Sequence, residues 1–242
     1  MFHPKGPTLF ELAREGLSST QRGYDLLAPK FDFTPFRTPE EILDGVYQLL
    51  VQLGPFADGI DLCCGTGAGV RMLQPLCTKR VVGLDFSVGM LAEARRQDPG
   101  PSEGWSRAEL VWSDVLDMSY EGLFDIATCF GALGHIPADK EERFLGTVHR
   151  ALRPGGIFAF VTAPMPPAMS RAWMFGRSYN ALAHVRNFLK RPRFEMLYLT
   201  FTVEDAQRLL QHNAFSVEIV ERIFPAPHEN AAVILARKLA KG

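Results

Sequence analysis

Between Gly59 and Gly69 the chain reads G-I-D-L-C-C-G-T-G-A-G, with an acidic residue at the end of an apolar run directly before a tight glycine-rich turn. Glycines adopt positive φ without Cβ strain and let backbone N–H groups approach a ligand closely at the mouth of the following helix. The pattern predicts a strand, a nucleotide-cofactor cradle and a helix, and it commits the surrounding chain to layered α/β structure.

The flanking sequence alternates in that way. Apolar runs predict strands at Ala57–Leu62, Arg80–Leu84, Ala108–Trp112, Leu123–Cys129 and Gly156–Thr162. Helical patterns lie between them at Gly69–Leu76, Val88–Gln97 and Ala138–Leu152, while Ser113–Glu121 is too short for a helix. Such βαβ alternation implies a parallel sheet. Upstream, a capping Thr38, Pro39 at the first helical position and Glu41 three residues after the cap start a helix running to about Leu53. Leu152–Gly156, L-R-P-G-G, reads as the end of a helix and a turn. Pro164, Pro166 and Pro167 then stop the sheet, and Met169–Lys190 reads as an inserted helix. Thr202 with Asp205 starts another, and Phe215–Phe224 and Ala231–Leu239 form two strands whose short connection requires antiparallel pairing. The expected units are an N-terminal helical cap (1–56), a cofactor-binding core (57–163), a substrate lid (164–201) and the C-terminal part of the core sheet (202–242).

Charge excludes other classes. With 26 basic and 27 acidic residues the chain has no overall field to attract nucleic acid or an anionic membrane. Cys63, Cys64, Cys77 and Cys129 form no disulfide framework and read as free thiols. The N-terminus reaches glutamate before building a signal-like apolar stretch, and no apolar run is long enough for a transmembrane segment. The expectation is a soluble cytoplasmic protein. The histidines have no metal-ligand spacing, so no metal is expected.

Asp85 follows the second strand, 18 positions after Gly67, where a carboxylate accepts hydrogen bonds from both hydroxyls of a ribose. Nicotinamide enzymes use the same device, but this loop is G-T-G-A-G-V rather than G-x-G-x-x-G. Asp61 also precedes it where a pyrophosphate would be repelled, so a cationic ligand suits the turn better. Read as ordinary strand-end carboxylates, Asp61 and Asp85 would instead cap neighbouring helices.

In order, D-L-C-C-G-T-G, D-F-S-V-G-M-L, S-D-V, F-D-I-A-T-C-F-G-A-L-G-H-I and L-R-P-G-G-I-F resemble the motifs of class I S-adenosylmethionine-dependent methyltransferases, in particular the small-molecule group that includes quinone-biosynthesis enzymes. The resemblance covers most of Gly59–Thr162 and implies a Rossmann-like, doubly wound seven-stranded sheet. That sheet would be mostly parallel with a C-terminal antiparallel strand, have helices on both faces, and bind S-adenosyl-L-methionine. It further implies that Asp61, Cys63, Gly65, Thr66 and Gly67 hold the methionine part and Asp85 the ribose. Phe86 and Met90 would face the adenine, Ser113, Asp114 and Val115 would read its edge, and Phe130 would meet the amino-acid end. Cys63 departs from the family by standing where its first glycine often is. Arg22–Asp32 resembles the Y-D-x-x-A-x-x-Y-D pattern that covers the cofactor or substrate entrance, a role carried to Tyr24 and to Phe31. Asp125 is read as structural.

His135, close to where the methyl group would lie, is the candidate catalytic base, although it would serve equally to shape the pocket or cap a helix. Between Pro164 and Phe201 six basic residues face one acidic residue, a balance of +5, among aromatics that include Trp173, Phe175 and Tyr179. Those three are the candidate substrate residues; the plainer alternative is a lid whose rings pack on the sheet and whose cations are merely hydrated. The expected activity is methyl transfer to carbon or oxygen of a small-molecule acceptor by in-line displacement under the lid. A non-catalytic S-adenosylmethionine-binding module and a nicotinamide-dependent oxidoreductase are the alternatives, separated from it by turnover and by NADH titration.

Overall fold

The structure is a computed structural model that describes residues 3–100 and 104–239. Three N-terminal helices, α1 (Leu9–Gly16), α2 (Thr20–Leu27) and α3 (Glu40–Val51), precede the sheet. The capping motif of α3 shifts by one residue: Pro39, in extended backbone, stands before the helix and no side chain caps it. Glu40 and Glu41 occupy its first turn, where negative charge meets the positive end of the dipole.

The core follows as β1 (Phe56–Leu62), α4 (Ala68–Leu73), β2 (Cys77–Asp85), α5 (Val88–Gln97), β3 (Arg107–Trp112), β4 (Phe124–Cys129), α6 (Glu141–Ala151) and β5 (Leu152–Thr162). The expected fourth helix is shorter, because Pro75 tightens Gln74–Leu76 into a 3₁₀ turn. A larger correction concerns Leu152–Gly156, which opens β5 rather than ending a helix. Leu152 already pairs with Phe124, the register slips before Ile126 pairs with Ile157, and Gly155 at φ 77° absorbs the extra chain.

After the sheet come α7 (Arg171–Leu189), α8 (Val203–His212), β6 (Phe215–Glu221) and β7 (Ala232–Lys238). The seven strands lie in the order β3-β2-β1-β4-β5-β7-β6, with β7 antiparallel to both neighbours and β1 to β5 mutually parallel. This is the doubly wound, Rossmann-like fold. Both faces are buried, so the inner strands read as continuous apolar runs. In β5, Phe158 and Phe160 join Phe144 of α6 and Phe201 on one face, while Ile157 and Ala159 join Val46 and Leu50 of α3 on the other. At the amino ends of the strands, buried Asp58 pairs with Arg80 and Arg153, and Asp125 pairs with Arg153 while accepting from the Ala57 and Asp58 N–H groups. That charged network lies opposite the site described next. No helix among the described residues is long and apolar enough to cross a membrane.

Candidate functional site

A cavity of about 440 Å³ opens at the carboxyl ends of the parallel strands, where ligands bind in open α/β sheets. Its floor is the turn between β1 and α4. Cys63, Gly65 and Gly67 all take left-handed φ, at 54°, 52° and 83°. For Cys63 that conformation is strained, which is the physical reason glycine suits the position. Asp61, only 2% exposed, points under the turn and accepts a 2.7 Å hydrogen bond from Thr128 Oγ1 of β4. The first turn of α4 rides directly on it: a Cβ added to Gly69 would lie 2.4 Å from Asp61 Oδ2. Burial raises the Asp61 carboxyl to about 7, against the Thr128 hydrogen bond, which favours the charged form.

Asp85 ends β2 beside the turn. Its two oxygens accept 2.8 Å bonds from the Gly65 and Ser87 backbone N–H groups, which fixes the carboxylate plane at the cavity wall. Burial still raises it to about 6. Phe86, Met90, Ser113, Asp114, Val115 and Phe130 continue the lining, as do Asp61, Cys63, Gly65 and Thr66. Gly67 is the exception among the expected cradle residues: it shapes the turn as the residue before α4 without lining the cavity. The Cys63 thiol is held well above its ordinary range by Cys129 and by burial, so it stays protonated.

The N-terminal segment closes over this floor. Asp25 accepts from Ser87 Oγ at 2.6 Å and from the Gly89 N–H, and Asp32 accepts from Thr66 Oγ1 at 2.7 Å and from Gln97 Nε2 at 2.6 Å. The sequence reading gave roles to Tyr24 and Phe31 and missed both aspartates, although each sits beside them in the Y-D and F-D pairs that carried the resemblance. Tyr24 and Phe31 line the cavity.

Tyr24 Oη lies 2.7 Å from His135 Nε2, and His135 Nδ1 contacts the Glu195 carbonyl. A carbonyl only accepts, so Nδ1 carries the proton and Nε2 accepts from the Tyr24 hydroxyl. Burial lowers the His135 pKa and raises that of Tyr24, keeping both groups neutral. The pair can pass one proton inward from the cavity to Nε2.

The far wall is a strap, residues 190–201, beneath α7. Glu195, Met196 and Tyr198 line the cavity, whereas Trp173, Phe175 and Tyr179 do not. Tyr179 stands one layer back, edge-on to Tyr198 at 4.8 Å, and Phe175 is 61% exposed. Of the aromatics in 164–201, the three named as substrate residues stay on the helix outside the lining, and Tyr198 of the segment after it enters. Paired amides hold the strap: Asn180 bonds the Tyr198 N–H and carbonyl, and Asn187 does the same for Phe194. Lys140 and Arg37, also unforeseen, stand in the lining.

Comparison with known proteins adds to this geometry. Residues 60–156 match the family model described as a methyltransferase domain. An uncharacterized methyltransferase of Synechocystis is 34% identical over 125 residues, covering 51% of this chain and 53% of that protein. Demethylmenaquinone methyltransferase of Oceanobacillus iheyensis is 30% identical over 126 residues, covering 51% and 50%. The chain thus spans about half the length of these curated relatives. A solved DhpI–SAH complex superimposes with a TM-score of 0.66 over 97% of this chain and 100% of that one, at 22% identity, a likeness of fold.

Proposed function

We propose, from the match of residues 60–156 to a methyltransferase domain and from the geometry of the site, that the chain transfers a methyl group from S-adenosyl-L-methionine to carbon or oxygen of a small-molecule acceptor. The observation that carries the reading is Asp61: a carboxylate buried beneath a turn of left-handed residues is costly unless a cation shares the site. An adenosyl sulfonium with its ammonium group fits that cradle, and a dinucleotide diphosphate does not. Asp85, its carboxylate oriented by backbone N–H groups and lining the cavity, fits a ribose diol. Met90 and Phe86 offer apolar contact to an adenine, and Ser113, Asp114 and Val115 stand at its edge. The free cysteines support a reducing, cytoplasmic setting.

When bound, S-adenosylmethionine supplies an electrophilic methyl group for in-line displacement. The protein's part is alignment and exclusion of water, which together recover on the order of 7–11 kcal/mol of barrier in well-oriented pairs. Phe31, Phe36, Phe130, Met196 and Tyr198 give the acceptor space apolar walls. Similarity to a demethylmenaquinone methyltransferase supports a small-molecule acceptor. Where the acceptor atom bears a proton, Tyr24 Oη takes it while handing its own to His135 Nε2, whose Nδ1–H stays fixed on Glu195.

Titration calorimetry with S-adenosylmethionine and S-adenosylhomocysteine tests the reading: both bind at one site per chain. Absence of heat with either ligand overturns it. Transfer of a labelled methyl group into a metabolite extract then distinguishes an enzyme from a binding module.

A further inference from the structure

Helix α7 seats a face of small residues and amides and leaves its apolar face unseated. Its inner stripe, Gly176, Asn180, Ala183 and Asn187, rests on the strap. Its outer stripe carries Phe175, Leu182, Val185, Phe188 and Leu189 into solvent, with Phe188 85% exposed and Leu189 72%. Spacings of three, four and seven residues put these side chains on one side of the helix. A contiguous apolar face of this kind marks an interaction surface.

Charge selects the occupant. Arg171 and Arg177 on α7 and Lys190, Arg191 and Arg193 directly after it are exposed, and none of them is paired with a carboxylate among the described residues. A second copy laid helix against helix would set five cations against five. We propose that the outer face of α7 docks on an anionic phospholipid surface, its rings entering the interface and its cations meeting the headgroups. The chain as a whole is near neutral, so attraction comes from this local field alone. The strap hanging from the inner side of α7 carries Glu195, Met196 and Tyr198 of the cavity wall, so docking by the outer side holds the back of the site's cover against the lipid. The inference does not depend on methyl transfer, since its test reads binding.

The test is sedimentation of the full chain with vesicles of phosphatidylcholine alone or mixed with one-third phosphatidylglycerol. The chain is expected to pellet with the mixed vesicles at about 0.1 M salt and to release at about 0.5 M. Leu182→Asp with Phe188→Asp is expected to cut the partition more than about tenfold, and Lys190→Gln or Arg191→Gln about fivefold each. Because these side chains are exposed, thermal unfolding should not shift. Equal pelleting of wild type and variants, or indifference of the wild type to anionic lipid, overturns the proposal. So does a dimer in ultracentrifugation that Phe188→Asp dissociates, or capture by an acidic protein without vesicle binding.

Discussion

Asp61 is caught between two requirements: burial drives its carboxyl towards the neutral form, and a cationic ligand requires the charged one. The unliganded protein therefore carries a penalty at Asp61 that the ligand relieves. Asp61→Asn is expected to weaken S-adenosylmethionine binding about 10- to 150-fold, the loss of about 1.5–3 kcal/mol for a charge-assisted contact. The same change should raise the unliganded melting temperature at pH 8, since the buried charge at position 61 is gone. A variant that binds as tightly as wild type in calorimetry would remove Asp61 from the site. Tyr24→Phe separates relay from cover. It should lower kcat about 10²-fold while leaving S-adenosylhomocysteine affinity nearly unchanged; an equal loss in both measurements would make Tyr24 a wall of the cofactor pocket only. At this scale the sequence was informative wherever function sits within a short segment. Asp61, Asp85 and the glycines announce themselves by spacing, while the Glu195 carbonyl leaves no trace, because a backbone acceptor is the same in every residue.

Elements differ in how far local pattern reaches. Helix α5 spans Val88–Gln97 as its pattern predicts, with the Ser87 side chain accepting from the Met90 N–H at its start. Leu152–Gly156 misled because proline and paired glycines signal a turn, whereas here pairing with β4 carries the chain through as a bulged strand. Helix α7 was recognisable, but its seat was not, since the large rings stay outside the cavity while Gly176, Asn180, Ala183 and Asn187, which carry no apolar signal, hold the strap. Its seat depends on two buried or half-buried amides. Asn187→Ala leaves the Phe194 N–H and carbonyl without their partner, and it should destabilise the fold by about 1–3 kcal/mol, read as a lower midpoint in urea. Loss of the strap's position should also raise KM for the acceptor more than it weakens S-adenosylhomocysteine binding.

For the whole molecule, three buried carboxyls whose pKa is raised set a pH dependence, and Glu15, pushed up to about 7 by burial, is one of them. Asp61 is raised to about 7 and Asp85 to about 6. A carboxyl whose folded pKa is raised contributes stability below its unfolded pKa and loses it as pH rises through the folded value. Unliganded protein should accordingly melt lower at pH 8 than at pH 5, while affinity for S-adenosylmethionine rises over the same interval. Asp58 and Asp125, held low by Arg153 despite some burial, act oppositely but only in acid, outside that window. A flat melting profile from pH 5 to 8 would mean that neither Asp61 nor Asp85 is strained. Strand number and the antiparallel pair were foreseeable from alternation and loop length. The position of β7 was not: nothing in its seven residues says that it enters between two other strands. Among the described residues β6 hydrogen-bonds to β7 and to no other strand, so the sixth strand synthesised waits for the seventh before it has a neighbour. On the ribosome, β5 therefore presents an open edge until residues 232–238 emerge, and a chain halted before them would meet its siblings edge to edge.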